Sequence, residues 1–111
     1  LLMQTSTMSN TIYQRLGTCV YPGSYSVGDI NKIVVVAFKD SDITNYTIRI
    51  EDITNGNTVA EQTFTNDIEA INDMGTISSI PKTQAVLEIQ GKKTGGALYS
   101  GYNVNSLILY M

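Results

Sequence analysis

Few side chains in this chain can move a proton or attack a bond: among 111 residues there is one cysteine, there are ten carboxylates, and histidine does not occur. Ser-His-Asp and Cys-His arrangements are thereby excluded, leaving paired carboxylates or a lysine-assisted hydroxyl as routes to catalysis. The acids close in sequence are Asp40 and Asp42, Glu51 and Asp52, and Asp67, Glu69 and Asp73. Adjacent residues of a strand point to opposite faces, so Glu51 and Asp52 form a poor glycosidase pair, and no spacing joins two distant acids. The expectation is a protein that is not an enzyme and needs no cofactor. Zinc lacks a ligand pattern, with no histidine and no second cysteine. Calcium is the one metal to weigh, because Asp40-Ser41-Asp42 offers oxygens on a tight turn. Neither that turn nor the Asp67, Glu69, Asp73 group follows EF-hand spacing. Asp and Ser set turns equally well through side-chain to backbone bonds.

Binding chemistry is better represented. Seven tyrosines stand against two phenylalanines and no tryptophan. Tyr21 and Tyr25 flank Pro22-Gly23, and Tyr99 and Tyr102 flank Ser100-Gly101. A loop tyrosine can offer its ring face to a sugar or a protein while the hydroxyl stays wet; the competing reading is that such rings seal the ends of a sandwich. The segment KKTGGALYSGYN joins basic, glycine-rich and aromatic character and is the strongest binding-loop candidate, with Lys92, Lys93, Tyr99 and Tyr102 as contacts. Lys92-Lys93, beside an expected turn at 91–96, also reads as a solvated strand end. The glycines do not follow the order of a phosphate loop. Cys19, in the apolar run LGTCVY, reads as a buried, inert thiol.

Composition narrows the partners. Charged residues make up 15% and the formal charge is -3, against about 25% charged residues in ordinary soluble domains. Seven dispersed Lys and Arg do not make the basic surface that nucleic acid requires. No apolar run is long enough to span a membrane. The opening LLMQTSTMSNT has no signal-peptide pattern and reads as a cut end. Residues 1–11 are expected to form a flexible arm or linker and residues 12–111 one domain, a size that buries a sufficient core without disulfides.

The elements that must position these residues are strands. Runs at 12–21, 32–38, 45–53, 58–65, part of 68–77, 84–90 and 104–110, with a further short one at 98–102, are separated by turn signals. This is the pattern of an all-β, single antiparallel β-sandwich of jelly-roll type with seven or eight short strands. KIVVVAF is continuously apolar, as a central strand would be. The sole helical pattern, NDIEAINDMG, is under three turns long and equally fits a strand. Asn55-Gly56 marks a hairpin. A two-residue loop would mix core and solvent residues across the strands. A three-residue loop with Gly56 as a left-handed bulge pairs Tyr46 with Phe64, Ile48 with Gln62 and Ile50 with Ala60, gathering these apolar residues on one face. Hydrophobic matching decides register more strongly than the turn dipeptide, so the bulged loop is preferred, at the cost of leaving Val59 on the polar face.

The strand AVLEIQ, the polar glycine-containing stretch and the closing VNSLILYM resemble the final strands of jelly-roll modules found in viral capsid surface or fibre proteins and in carbohydrate-binding modules. The resemblance covers the last third of the chain. It implies a non-catalytic structural or receptor-binding surface module of a larger viral assembly, located on the virion surface or extracellularly, with protein partners and homo-oligomerisation. The alternative it implies is a carbohydrate-binding module attached to an enzyme or adhesin, contacting a surface glycan. The exposed tryptophan common in carbohydrate-binding modules is missing, and the Ser/Thr/Asn-rich, charge-poor surface is closer to the viral domains.

Overall fold

The computed structural model describes residues 8–111. Seven strands follow one another: β1 (Gln14–Tyr21), β2 (Lys32–Lys39), β3 (Asn45–Asp52), β4 (Asn57–Phe64), β5 (Ala70–Asp73), β6 (Ala85–Thr94) and β7 (Tyr102–Tyr110). They form a four-stranded sheet ordered β1-β6-β3-β4 and a three-stranded sheet ordered β5-β2-β7, with every pairing antiparallel. The chain is all-β, a sandwich of two antiparallel sheets. Only β3 and β4 are consecutive neighbours in one sheet; the other five of the six connections cross between sheets.

Alternation along the strands builds the core. Ile33, Val35 and Ala37 from β2, Tyr46, Ile48 and Ile50 from β3, Leu87 and Ile89 from β6, and Val104 and Leu107 from β7 meet between the sheets, each almost fully buried. Each Val, Leu and Ile side chain among them contributes on the order of 1.5–3 kcal/mol of transfer free energy. Tyr46 stacks on Tyr102 with ring centroids 5.5 Å apart, so part of the tyrosine count is core rather than surface.

The hairpin register holds for Tyr46 with Phe64, Ile48 with Gln62 and Ile50 with Ala60. The loop is a different one. Asp52 pairs with Asn57, which leaves a four-residue turn at 53–56, closed by Gly56 N–H on Asp52 O at 2.8 Å. Gly56 does adopt the left-handed region, with φ of 74°, but the extra residue of the ladder is Val59. The register shifts between Ile50 and Glu51, and Val59 turns inward to full burial beside Ala60. A bulge lets two successive residues face the same side, which removes the cost of placing Val59 among polar neighbours.

NDIEAINDMG gives the short strand β5, the strand alternative of its pattern, and one helical turn, α1 (Ser24–Val27), lies in the β1–β2 connection, where the sequence shows only turn signals. Two further expectations are corrected. No strand covers 98–102: that stretch is a turn, and β7 starts at Tyr102. β6 does not end near Gln90 but continues to Thr94, carrying Lys92 and Lys93 with it. Gly91 is not a turn glycine; any Cβ there would collide with the Tyr102 ring, so the glycine marks close approach of the two sheets. Residues 1–7 of the expected arm lie outside the described residues. Met8 exchanges main-chain hydrogen bonds of 2.8 and 3.0 Å with Tyr102, and Asn10 O accepts from Lys93 N–H at 2.9 Å.

Candidate functional site

The β6–β7 connection, residues 95–101, is built on a frame of buried and charged groups. Lys93 is 4% exposed, and its ammonium donates to the carbonyls of Ala97 at 2.7 Å and Ser100 at 2.6 Å. The neighbouring β2–β3 connection supplies the second brace. Asp40 Oδ2 accepts from Gly101 N–H at 2.9 Å, and Asp42 Oδ2 accepts from the Ser100 hydroxyl at 2.5 Å and Ala97 N–H at 3.4 Å. The Ser100 hydroxyl, then the Ala97 N–H and the Lys93 charge, hold the Asp42 carboxyl below its ordinary range despite opposing desolvation. Gly96 sits at φ of 82° against Ile43, where a side chain would clash. These contacts fix the loop and leave its tip in solvent, with Leu98 75% and Tyr99 86% exposed. Beside the tip, a groove of about 460 Å³ is lined by Ser9, Asn10 and Thr11 together with Lys93, Gly95, Gly96 and Leu98.

The six tyrosine and lysine candidates do not converge. Tyr21 and Tyr102 are core residues, 1% and 0% exposed, and the Tyr21 hydroxyl donates to Gly28 O at 2.6 Å. Tyr25 is exposed beside Lys82, at the end of the sandwich where β6 begins. Tyr99 lies beyond the other end of β6, a strand of ten residues or roughly 33 Å. Lys92 faces outward, its ammonium 4.6 Å from the Tyr13 ring. Lys93, expected as a solvated strand end or a ligand contact, is instead an internal strut: the continued alternation of β6 sends it opposite to Lys92. Of the six, Tyr99 alone sits at the braced loop tip. Leu98, Asn10 and Thr11 are not singled out by sequence, because nothing local in the GGALY or SNT runs distinguishes a displayed residue from an ordinary loop residue.

Several of the acids hold loops and strands in place. Asp52, 1% exposed, accepts from Asn55 N–H at 3.0 Å and Asn55 Nδ2 at 2.7 Å, fixing the hairpin tip. Asp73 accepts from Gly75 N–H at 2.8 Å, while Glu69 meets Asn105. Among the described residues no three potential metal ligands cluster. The outer face of the four-stranded sheet carries a network that sequence reasoning missed except for Arg49 among acids. Tyr13 donates to Glu61 at 2.7 Å and lies 3.7 Å from the Arg49 guanidinium, which bonds Gln90 at 2.9 Å and pairs with Glu51 at 3.3 Å. Burial, followed by the Glu61 carboxylate, pushes the Tyr13 phenol well above its ordinary range.

No protein-family model, characterised protein or solved structure matches the chain.

Proposed function

We propose that this chain is a non-catalytic recognition module, displayed on the surface of a larger extracellular or virion assembly, that binds a protein receptor through Leu98 and Tyr99. The observation that carries this reading is the bracing of 95–101. A loop whose carbonyls, hydroxyl and N–H groups are tied down by Lys93, Asp40 and Asp42 has little ordering entropy left to lose on binding. An exposed tyrosine on such a loop is one of the residue types that dominate binding energy at protein interfaces, and Leu98 beside it adds apolar area. The crossing of five connections between sheets supports a jelly-roll reading of the sandwich. No cofactor enters: Asp40 and Asp42, the calcium candidates, spend carboxylate oxygen on the loop.

The groove at Leu98, with the hydroxyls of Ser9 and Thr11 and the Asn10 amide in its lining, favours a second reading, a glycan that occupies it and reaches the adjacent exposed Tyr99. Fluorescent tetramers of the domain distinguish the two. Under the leading reading, tetramers stain receptor-bearing cells, the Leu98→Ala/Tyr99→Ala double variant stains at least tenfold less with unchanged Tm, and surface proteolysis abolishes staining while deglycosylation spares it. Loss on deglycosylation, with signal on a glycan array, would establish the second. Staining by the double variant equal to wild type sinks both.

A further inference from the structure

The four lateral edges of the two sheets are not equally closed. On β4, Val59 O accepts from Ser78 N–H at 2.9 Å; β7 is bridged by Met8 at Tyr102. β5 has four residues and ends in Asp73, a short charged edge of the kind that discourages pairing. β1 has eight residues, and its last five, Gly17, Thr18, Cys19, Val20 and Tyr21, carry neither charge nor proline.

Which groups β1 presents follows from its neighbour. Ile53 N–H donates to Val86 O at 2.9 Å and Val86 N–H donates to Thr54 Oγ1 at 3.0 Å, so Val86 turns both main-chain groups away from β1. Val86 opposes Val20, and Glu88 opposes Thr18. Both are therefore non-hydrogen-bonded pairs, and Thr18 and Val20 direct N–H and C=O out of the sheet. Among the described residues nothing bonds them there. Val20, Val86 and Ile53, at 58%, 39% and 50% exposure, run inward from this edge as an apolar stripe.

We propose that β1 is a self-pairing edge: β1 of a second copy adds antiparallel across a two-fold axis at Cys19, joining two four-stranded sheets into one of eight strands. The edge itself specifies the second copy. Pairing Thr18 with the partner's Val20, and Val20 with the partner's Thr18, uses all the outward N–H and C=O groups of both residues, an isologous contact in which one patch supplies both halves. Centring the axis on Thr18 would set Val20 against the bulge at Leu16, and centring it on Val20 would set Thr18 against Pro22, which has no N–H. The Cys19 register also places Arg15, the only charge of β1, beyond the paired segment, and lays the two apolar stripes edge to edge.

Sedimentation equilibrium of the full chain is expected to give twice the monomer mass, and Val20→Pro to return it to the monomer mass over the same concentrations. Proline spares the β1–β6 ladder, because Val20 N–H takes no part in it; Val20→Lys, which puts a charge at the seam, serves if the proline variant does not fold. Non-hydrogen-bonded partners lie about 4.5 Å apart at Cα, within the roughly 4.4–6.8 Å that a disulfide spans. Oxidation with copper phenanthroline is accordingly expected to link Cys19 to the partner's Cys19 in wild type and not in the Val20 variants. A wild-type chain that stays monomeric at millimolar concentration overturns the proposal, as does a dimer that survives both substitutions without cross-linking at Cys19.

Discussion

Lys93 is a charge placed indoors, and its worth lies in what it holds. Its ammonium is the donor for two carbonyls of the 95–101 loop, and hydrogen bonds from an ionised donor contribute more than neutral ones. Lys93→Met keeps the aliphatic stem but removes both donors, so it is expected to lower stability by about 2 kcal/mol. Amide exchange should accelerate across 96–101 and stay unchanged at Leu87, and uniform acceleration would show that the residue supports the whole sheet instead. In sequence, Lys93 reads as half of a basic pair, since a turn was expected from Gly91 onward. The information needed to separate the pair, close approach of the Tyr102 ring to Gly91 from the opposite sheet, is tertiary. Tyr21 and Tyr102 were opaque for a similar reason. A tyrosine beside Pro-Gly or Ser-Gly looks the same whether its ring points out or in, and only the fold shows Tyr102 stacked on Tyr46.

At the level of elements, the 45–64 hairpin was the most legible part of the chain. Three cross-strand pairs followed from asking which register gathers Tyr46, Ile48, Ile50, Ala60 and Phe64 on one face, because a slip by one residue would turn every side chain over. The loop was less legible. A bulge at Val59 displaces the ladder just as a bulge at Gly56 would, and apolar matching in the outer pairs does not distinguish them. Gly56 still carries a cost of its own: at φ of 74° with open space around its Cα, Gly56→Ala is expected to lose about 1 kcal/mol through backbone strain alone. Chemical denaturation should show a lower midpoint with an unchanged slope. No loss of stability would mean that the turn relaxes to a conformation alanine tolerates. The end of β6 is illegible in sequence because Gly91 resembles punctuation, whereas β2 is plain, its KIVVVAF run being apolar enough for a central strand.

Over the whole molecule, the tyrosines link folding to alkaline pH. Burial raises the phenols of Tyr21, Tyr46 and Tyr102, with Tyr46 pushed up to about 12 against the pull of Asn66 and Asn72. The Tyr102 hydroxyl is buried without a partner among the described residues. An unfolded tyrosine releases its proton near pH 10, so above that value the unfolded chain binds fewer protons than the native one. Stability from these groups is therefore complete below about pH 10 and declines as pH rises toward about 12. Thermal melts across that interval should show a steep fall in Tm, reduced in Tyr46→Phe; a flat profile would mean that the phenols stay protonated equally in both states. The sandwich class was legible from strand count and punctuation, but its wiring was not, because periodicity shows which face is apolar and not which sheet receives a strand.

That wiring has a consequence for how the molecule forms. Only β3 and β4 can pair by closing a short turn; β1, near the start of the chain, waits for β6, and β2 for β7. Isolated hairpins close in roughly 1–10 μs, whereas domains dominated by distant pairings fold in milliseconds to seconds. The 45–64 hairpin is the segment that can be structured at once, and every other strand must search for a partner synthesised long before or after it. During that interval the same uncharged stretch of β1, residues 17–21, that we assign to dimerisation is exposed without its neighbour, so the folding rate of this chain also sets how long it is open to aggregation.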